Sequence, residues 1–267
     1  MNLAKADTKP AWCPGCGNFG ILKAFNAAIE EAHVDRRRLV LVSGIGQAAK
    51  LPHYIDGNAN VFNGLHGRAI PAATGIKLAN HSLEVVVTSG DGDMYGEGGN
   101  HLLHAMRRNI GIHCFVHNNQ VYGLTKGQAS PTSDSGFMTL LQSHGVMSAP
   151  FQAMAAAIVA DASFVARSFS GDFKHLKAMM IEAMKVDGFA LLEILQPCVT
   201  FNKVNTFSWY RQRVKPIDPA HDPYDRAGAL ELAFRWGDEI PIGVYYRSKR
   251  PGFESQLPVL KTGTLVS

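Results

Sequence analysis

Two oxygen-bearing side chains, Asp91 and Asn119, lie within the stretch LEVVVTSGDGDMYGEGGNHLLHAMRRNIGIHCFVHNNQVYGLTKGQ (83–128). A carboxylate and a primary amide are hard donors suited to Mg²⁺, an ion that keeps part of its shell for phosphate oxygens. Gly90 and Gly92 flank Asp91 and let the backbone approach a diphosphate closely. A second group is the pair Cys13 and Cys16 in WCPGCGNFG (12–20). Pro14 and Gly15 permit the tight knuckle that points two thiolates at one metal centre, as in half of a zinc or iron–sulfur site. Two buried thiols in a turn are the plainer alternative, and a thioredoxin-like redox pair would want the motif after a strand.

These residues need elements to position them. Leu83–Ser89 and Ile110–His117 are short apolar runs bounded by turn signals, as expected of buried parallel strands. A helix over about Gly99–Arg108 joins them, and a right-handed crossover delivers Asp91 and Asn119 to the same carboxyl edge, where open α/β folds hold ligands. Upstream, Phe19–Ala32 has helical spacing with Asn18 as its expected N-cap. Leu39–Val42 is a strand ending in SGIGQAAK (43–50), whose glycines at 44 and 46 offer a second approach of backbone to a cofactor. LHGRAIPAATGIKLA (65–79) places His66 and Arg68 in a loop before a small-residue helix. A histidine beside an arginine can meet phosphate or a carboxylate; a hydrogen-bonded loop histidine is the bland reading.

Beyond Gln128 a polar loop and a weakly structured segment run to Pro150. Gln152–Asp161 reads as a helix, Phe164–Ser168 as a strand, Asp172–Val186 as an amphipathic helix and Phe189–Leu195 as a strand ending at Pro197-Cys198. This alternation extends the same sheet. After about residue 200 the Pro-rich KPIDPAHDPYD (215–225) suggests a surface excursion, followed by a helix (Arg226–Trp236), a strand (Ile242–Tyr246) and an extended tail from Lys249. Residues 1–11 read as a polar arm. The expected fold is α/β, a doubly wound, mostly parallel sheet: one domain over 1–200, and an extension over 201–267 that packs on it and on a partner subunit.

Length and composition agree with one large α/β domain: 267 residues, 46% hydrophobic and 18% charged. The net charge of +4 is mild, and the basic run Arg36–Arg37–Arg38 reads as a solvated face, so no nucleic-acid site is expected. No apolar segment reaches the roughly 18 residues of a membrane span, and there is no signal-peptide core. The expected location is the cytoplasm, where four cysteines are reduced thiols or metal ligands rather than a disulfide framework.

GDG at 90–92 and the Asn118-Asn119 pair, with residues 93–117 between them, resemble the thiamine-diphosphate-binding motif. With WCPGCGNFG, SGIG (43–46), HGRA (66–69), NNQVYGLTKGQASPT (118–132) and LQPC (195–198) in that order, residues 10–245 resemble the β subunit of the two-subunit 2-oxoacid:ferredoxin oxidoreductases. VYGLTKGQASPT is the most specific piece. The resemblance implies a subunit that binds the diphosphate half of thiamine diphosphate and a [4Fe–4S] cluster. It implies Mg²⁺ ligands at Asp91, Asn119 and the Val121 carbonyl, and cofactor contacts at Ile45, Gly46, Gln47, Ala48, His66, Gly92, Asp93, Gly123 and Leu124. Cluster ligands map onto Cys13, Cys16, Cys198 and the position after SGIG.

That last position is Gln47, not cysteine. A neutral, hard amide is a poor substitute for thiolate at iron. A three-iron cluster, a four-iron cluster with a non-cysteine ligand, zinc and an empty site all stay open, with an altered cluster as the expectation. Cys114 sits inside a strand and is expected in the core.

The implied reaction is oxidative decarboxylation of a 2-oxoacid with coenzyme A to acyl-CoA and CO₂, with electrons leaving singly through the cluster to ferredoxin. Lys126 is the candidate for the substrate carboxylate, with Lys50 or Arg68 assisting. In thiamine enzymes the activating glutamate lies on a second, pyrimidine-binding domain for which this chain has no room, so an α subunit is implied. Two other classes fit less of the pattern. A non-redox thiamine-diphosphate decarboxylase or ligase subunit would release aldehyde without reducing ferredoxin. A non-enzymatic metal-binding assembly subunit would bind metal and not thiamine diphosphate. The 2-oxoacid itself is not legible.

Overall fold

The structure, a computed structural model, describes residues 9–266. The polar arm expected over 1–11 therefore lies mostly outside the described residues. Six strands run parallel: β1 (Leu39–Ser43), β2 (Asn60–Asn63), β3 (Glu84–Gly90), β4 (His113–Asn118), and, beyond a two-residue hairpin β5 (Val121–Tyr122) and β6 (Gln128–Ala129), β7 (Phe164–Phe169) and β8 (Ala190–Leu195). With β9 (Val214–Pro216) and β10 (Ile240–Arg247) they form one eight-stranded sheet in the order β2-β1-β3-β4-β8-β7-β10-β9. β10 runs antiparallel to β7, and β9 runs parallel to β10.

Both faces of the sheet are covered, and the strand sequences say why. In β1, Leu39 and Leu41 enter one core with α1 (Asn18–Glu31) and α5 (Phe173–Met184), while Val40 and Val42 enter the other. That second core holds residues of α2 (Ala69–Ala79), α3 (Gly99–Arg108), α4 (Ala153–Val159) and α7 (Arg226–Ala233). Successive side chains of a strand point to opposite faces, so a run apolar at every position is what a two-sided sheet requires. Cys114, fully buried on β4, belongs to the second core as expected.

Strand register brings the polar ends together. Gly90 pairs with His117 and Asn118 with Leu195, so Asp91, Asn119 and Gln196 leave the sheet side by side. Ser43 pairs with Thr88, placing the loop that follows β1 at the same edge.

Several expectations change. Asn18 does not cap α1: Gly17 occupies that position, and the buried Asn18 Oδ1 lies 2.8 Å from His117 Nδ1. The turn after Asp91 is a run of π-helix (Gly92–Glu97), which glycine spacing alone did not reveal. The surface excursion contains α6 (Phe207–Arg213), whose Tyr210 is fully buried in a small third core. The tail is not extended but forms short 3₁₀ turns at Glu254–Gln256 and Pro258–Lys261, tied down where the Gly111 N–H donates to Glu254 Oε1 at 3.0 Å. Among the described residues no helix is long and apolar enough to cross a membrane.

Candidate functional site

At the carboxyl edge of β1, β3 and β4 lies a cleft with an empty volume of about 490 Å³. Its walls are the loop after β1 (Ile45 to Ala48), His66, the turn Gly90–Asp93, and Asn119 with the hairpin residues Val121–Thr125. All nine expected cofactor contacts and all three expected Mg²⁺ ligands therefore face one space.

Asp91 is the chemical centre of the cleft. It is 1% exposed, and its Oδ2 accepts hydrogen bonds from Ser130 Oγ (2.5 Å) and Thr132 Oγ1 (2.6 Å). Its Oδ1 lies 3.5 Å from the Asn119 backbone N–H. Burial raises its pKa to about 6, against the downward pull of those neutral donors. Among the described residues no basic side chain pairs with it, and a buried carboxylate without a counter-charge calls for a cation. Asn119 Oδ1 accepts from the Val121 N–H at 3.0 Å, which leaves one lone pair of that oxygen free. The donor set is hard oxygen throughout and fits Mg²⁺.

The backbone around Asp91 is cut to size. A Cβ on Gly92 would come within 2.4 Å of the Tyr122 ring. Asp93 organises the neighbouring loops: its Oδ1 accepts from the N–H groups of Gly67 (2.7 Å) and Ile45 (3.2 Å), and its Oδ2 accepts from Ser89 Oγ. His66 Nδ1 stands 2.7 Å from Asp93 Oδ1 and 3.4 Å from Glu97 Oε2, with the ring not aligned for a hydrogen bond to either.

A second cavity, with an empty volume of about 380 Å³, adjoins the first. It is lined by Trp12, Cys13, Cys16, Gln47, Asn119, Gly123, Gln196 and Cys198, among others. The three thiols are free and close enough that Cys13 and Cys198 contribute, after burial, to lifting the Cys16 thiol to about 11. Yet among the described residues no three Cys, His, Asp or Glu side chains converge on a point that would hold one metal ion. Three thiols and the Gln47 amide at one cavity are the side chains that a cluster or a zinc ion there would have to use. Gln47, Asn119 and Gly123 line both cavities.

The three residues expected at the substrate carboxylate are not brought into the cleft lining. Lys126 is exposed on the turn after the lining residues Leu124 and Thr125, with φ +79°. Arg68 Nη1 meets His101 Nε2 at 3.0 Å, and Lys50 lies on the 3₁₀ turn Ala48–His53.

Sequence reasoning missed the supports. Ser130 and Thr132 grip Asp91, and Thr132 Oγ1 also lies 2.9 Å from Asn118 Oδ1, so its one proton is shared between the two acceptors. Behind Asn118, Glu193 Oε1 accepts from its amide at 3.2 Å, while Glu193 Oε2 accepts from Arg167 Nε at 2.7 Å, both charges nearly fully buried. The hydroxyls stand in the segment QASPT, the end of the stretch that carries the family resemblance most specifically, but nothing along the chain assigns them to Asp91.

Comparisons with known proteins give the family. Residues 38–194 match the family described as thiamine pyrophosphate enzyme, C-terminal TPP binding domain, and residues 198–262 match the C-terminal family of the pyruvate ferredoxin oxidoreductase beta subunit. A 2-oxoacid:ferredoxin oxidoreductase subunit beta from Saccharolobus solfataricus is 45% identical over 249 residues, covering 89% of this chain and 82% of that one. A 2-oxoglutarate oxidoreductase subunit KorB from Mycobacterium tuberculosis is 42% identical over 89% of this chain and 60% of its own length. Among solved structures, a 2-oxoglutarate:ferredoxin oxidoreductase from Magnetococcus marinus, with 2-oxoglutarate, coenzyme A and succinyl-CoA bound, superposes with a TM-score of 0.93 at 36% identity. That match covers 97% of this chain and 88% of the other.

Proposed function

The chain belongs to the β subunits of the 2-oxoacid:ferredoxin oxidoreductases, thiamine pyrophosphate enzymes, and from that premise we propose that it carries the diphosphate-binding half of a CoA-acylating 2-oxoacid oxidoreductase. The reaction is oxidative decarboxylation of a 2-oxoacid with coenzyme A to acyl-CoA and CO₂, with ferredoxin as electron acceptor in the cytoplasm. The observation that carries this reading is Asp91: a carboxylate buried in a glycine-walled cleft, held by neutral donors and with no cationic partner among the described residues.

Each role falls to a named part of the chain. Asp91, Asn119 and the Val121 carbonyl hold Mg²⁺, and through it the diphosphate. Gly92 and the loop Ile45–Ala48 let backbone approach the phosphates, with Asp93 holding that loop against the loop of His66 and Gly67. Gly123 and Leu124 form the floor of the cleft. When bound, thiamine diphosphate supplies the electron sink that lets CO₂ leave the 2-oxoacid. Lys126, next to the cleft-lining Thr125, is assigned to the substrate carboxylate, with Lys50 or Arg68 assisting. Cys13, Cys16 and Cys198 would hold an iron–sulfur cluster in the adjoining cavity, and such a cluster would supply one-electron transfer to ferredoxin. The glutamate that activates the cofactor comes from an α subunit, and residues 201–267 pack on the domain and meet that partner.

The test uses the chain co-purified with its α subunit. Calorimetry is expected to show thiamine diphosphate binding that depends on Mg²⁺, and a 2-oxoacid panel is expected to show CoA-dependent ferredoxin reduction. Absence of Mg²⁺-dependent cofactor binding overturns the assignment.

A further inference from the structure

Four residues line the thiol cavity where a cluster would need ligands, and one of them is not a thiol. Gln47 lines this cavity together with Cys13 and Cys16 of the CPGCG knuckle, and the indole Nε1 of Trp12, the residue before Cys13, donates to the Gln47 carbonyl at 2.9 Å. Trp12 is itself fixed edge-on against Phe19 and Tyr54, with centroids 5.3 and 5.0 Å apart. The backbone of Gln47 is therefore tied to the knuckle that carries two of the thiols. Its side-chain Oε1 is buried and has no hydrogen-bond partner among the described residues. Buried polar atoms are nearly always satisfied, so this carbonyl oxygen has an unused acceptor site on a residue that shares the cavity lining with three thiols. Its Cγ would contact a Cβ on Gly123 at 3.9 Å, so the side chain lies along the wall that separates the thiol cavity from the cofactor cleft.

We infer that the Gln47 amide oxygen is the fourth donor of a site-differentiated [4Fe–4S] cluster, three of whose irons are held by Cys13, Cys16 and Cys198. The inference rests on the assignment of this chain as an oxidoreductase β subunit. It deepens that assignment by naming the iron that differs and where it faces. A neutral oxygen in place of a thiolate makes the cluster one unit less negative, which raises its potential relative to an all-cysteine version, and it binds its iron more weakly. Gln47 belongs to the wall shared with the cofactor cleft, so an iron held by it would be bound at that wall. A second link crosses that wall: Gln196 Nε2 donates to Cys16 Sγ at 3.5 Å, and Gln196 Oε1 accepts from Asn119 Nδ2 at 3.2 Å.

Weak binding at one iron has a balanced consequence. Ferricyanide, a one-electron oxidant, takes one electron from the [4Fe–4S]²⁺ core, which then releases one Fe²⁺ and leaves [3Fe–4S]⁺. The experiment compares the wild-type complex with Gln47→Cys and Gln47→Ala, each reconstituted anaerobically with iron and sulfide. Wild type is expected to lose about one iron in four on ferricyanide titration, with the paramagnetic resonance signal of a three-iron cluster. Gln47→Cys is expected to keep all its iron and to have a lower midpoint potential, and Gln47→Ala to lose the iron several-fold faster than wild type. The Mössbauer spectrum of the wild type alone is expected to resolve one iron with harder ligation than the other three, which keeps the idea testable if a variant fails to fold. Equal iron loss from wild type and Gln47→Ala, four equivalent irons, zinc alone or no metal would each overturn it. Thiamine diphosphate binding measured on the wild-type complex separates the two ideas, because Gln47 also lines the cofactor cleft: retained binding with any of these outcomes rejects only the Gln47 ligand, whereas no binding by the wild type rejects the cofactor assignment.

Discussion

At the scale of single residues, Asp91 decides most. Asp91→Asn keeps the size and two of the hydrogen-bonding positions but removes the charge. Mg²⁺-dependent binding of thiamine diphosphate is expected to fall by about a hundredfold or more, beyond the ~10–100-fold typical of a group that merely supports a metal ligand. Thr132→Val, which removes one supporting hydroxyl, is expected to fall within that smaller range in the same calorimetry. The pH dependence has a definite sign. With its pKa raised to about 6 from 3.8, Asp91 binds a proton more readily in the folded chain than in the unfolded one. In the cofactor-free protein its contribution to stability is present below about pH 4 and is lost as pH rises through about 6. Mg²⁺ must displace that proton, so its apparent affinity falls below about pH 6 by up to about tenfold per unit. Thermal unfolding should show a larger stabilisation by Mg²⁺ and thiamine diphosphate near pH 7 than near pH 5; equal shifts at both would contradict the assignment. Lys126→Met tests the carboxylate assignment: loss of a charged hydrogen bond corresponds to about a ten- to hundredfold rise in the KM for 2-oxoacid, with cofactor binding unchanged.

At the scale of elements, the cleft depends on a π-turn that clears a neighbouring ring. Gly92→Ala would push a methyl into Tyr122, 2.4 Å away, on the hairpin that also presents Val121 and Gly123. Cofactor binding should be lost in Gly92→Ala and partly restored in the double variant with Tyr122→Ala, because the two changes act through one contact. Behind the cleft, Glu193 on β8 ties Arg167 on β7 to Asn118 on β4. Removing one partner leaves a buried charge uncompensated, so Glu193→Ala is expected to destabilise the fold by ~3–5 kcal/mol in denaturant titration. The strands β3, β4, β7 and β8 were legible because their runs are apolar at nearly every position. The hairpin β5–β6 and edge strand β2 were not, since two to four residues, in β2 all exposed, carry no pattern of their own.

At the scale of the whole molecule, the sheet offers one carboxyl edge, and cofactor cleft and thiol cavity share it. On the proposed reading the phosphate grip and the electron exit would both lie on this chain, and the activating glutamate on the α subunit. The chain on its own should therefore release no CO₂ from a 2-oxoacid, and adding the α subunit should restore activity at an equimolar ratio; turnover by the isolated chain would refute the division of labour.

The chain order of residues was enough to determine the parallel sheet, the pairing of Asp91 with Asn119, and the knuckle of Cys13 and Cys16. Each of these rests on local periodicity or on a spacing set by one strand–helix–strand unit. Only the tertiary structure decided that Ser130 and Thr132, 39 and 41 residues from Asp91, close on its carboxylate, and that Gln47 stands on the wall common to both cavities. It also decided that Lys126 is exposed and stands next to, not among, the lining residues of the cleft. Such contacts form where distant segments return to one edge, and the free energy that selects them comes from burial and hydrogen bonding across the sheet, which no spacing along the chain records.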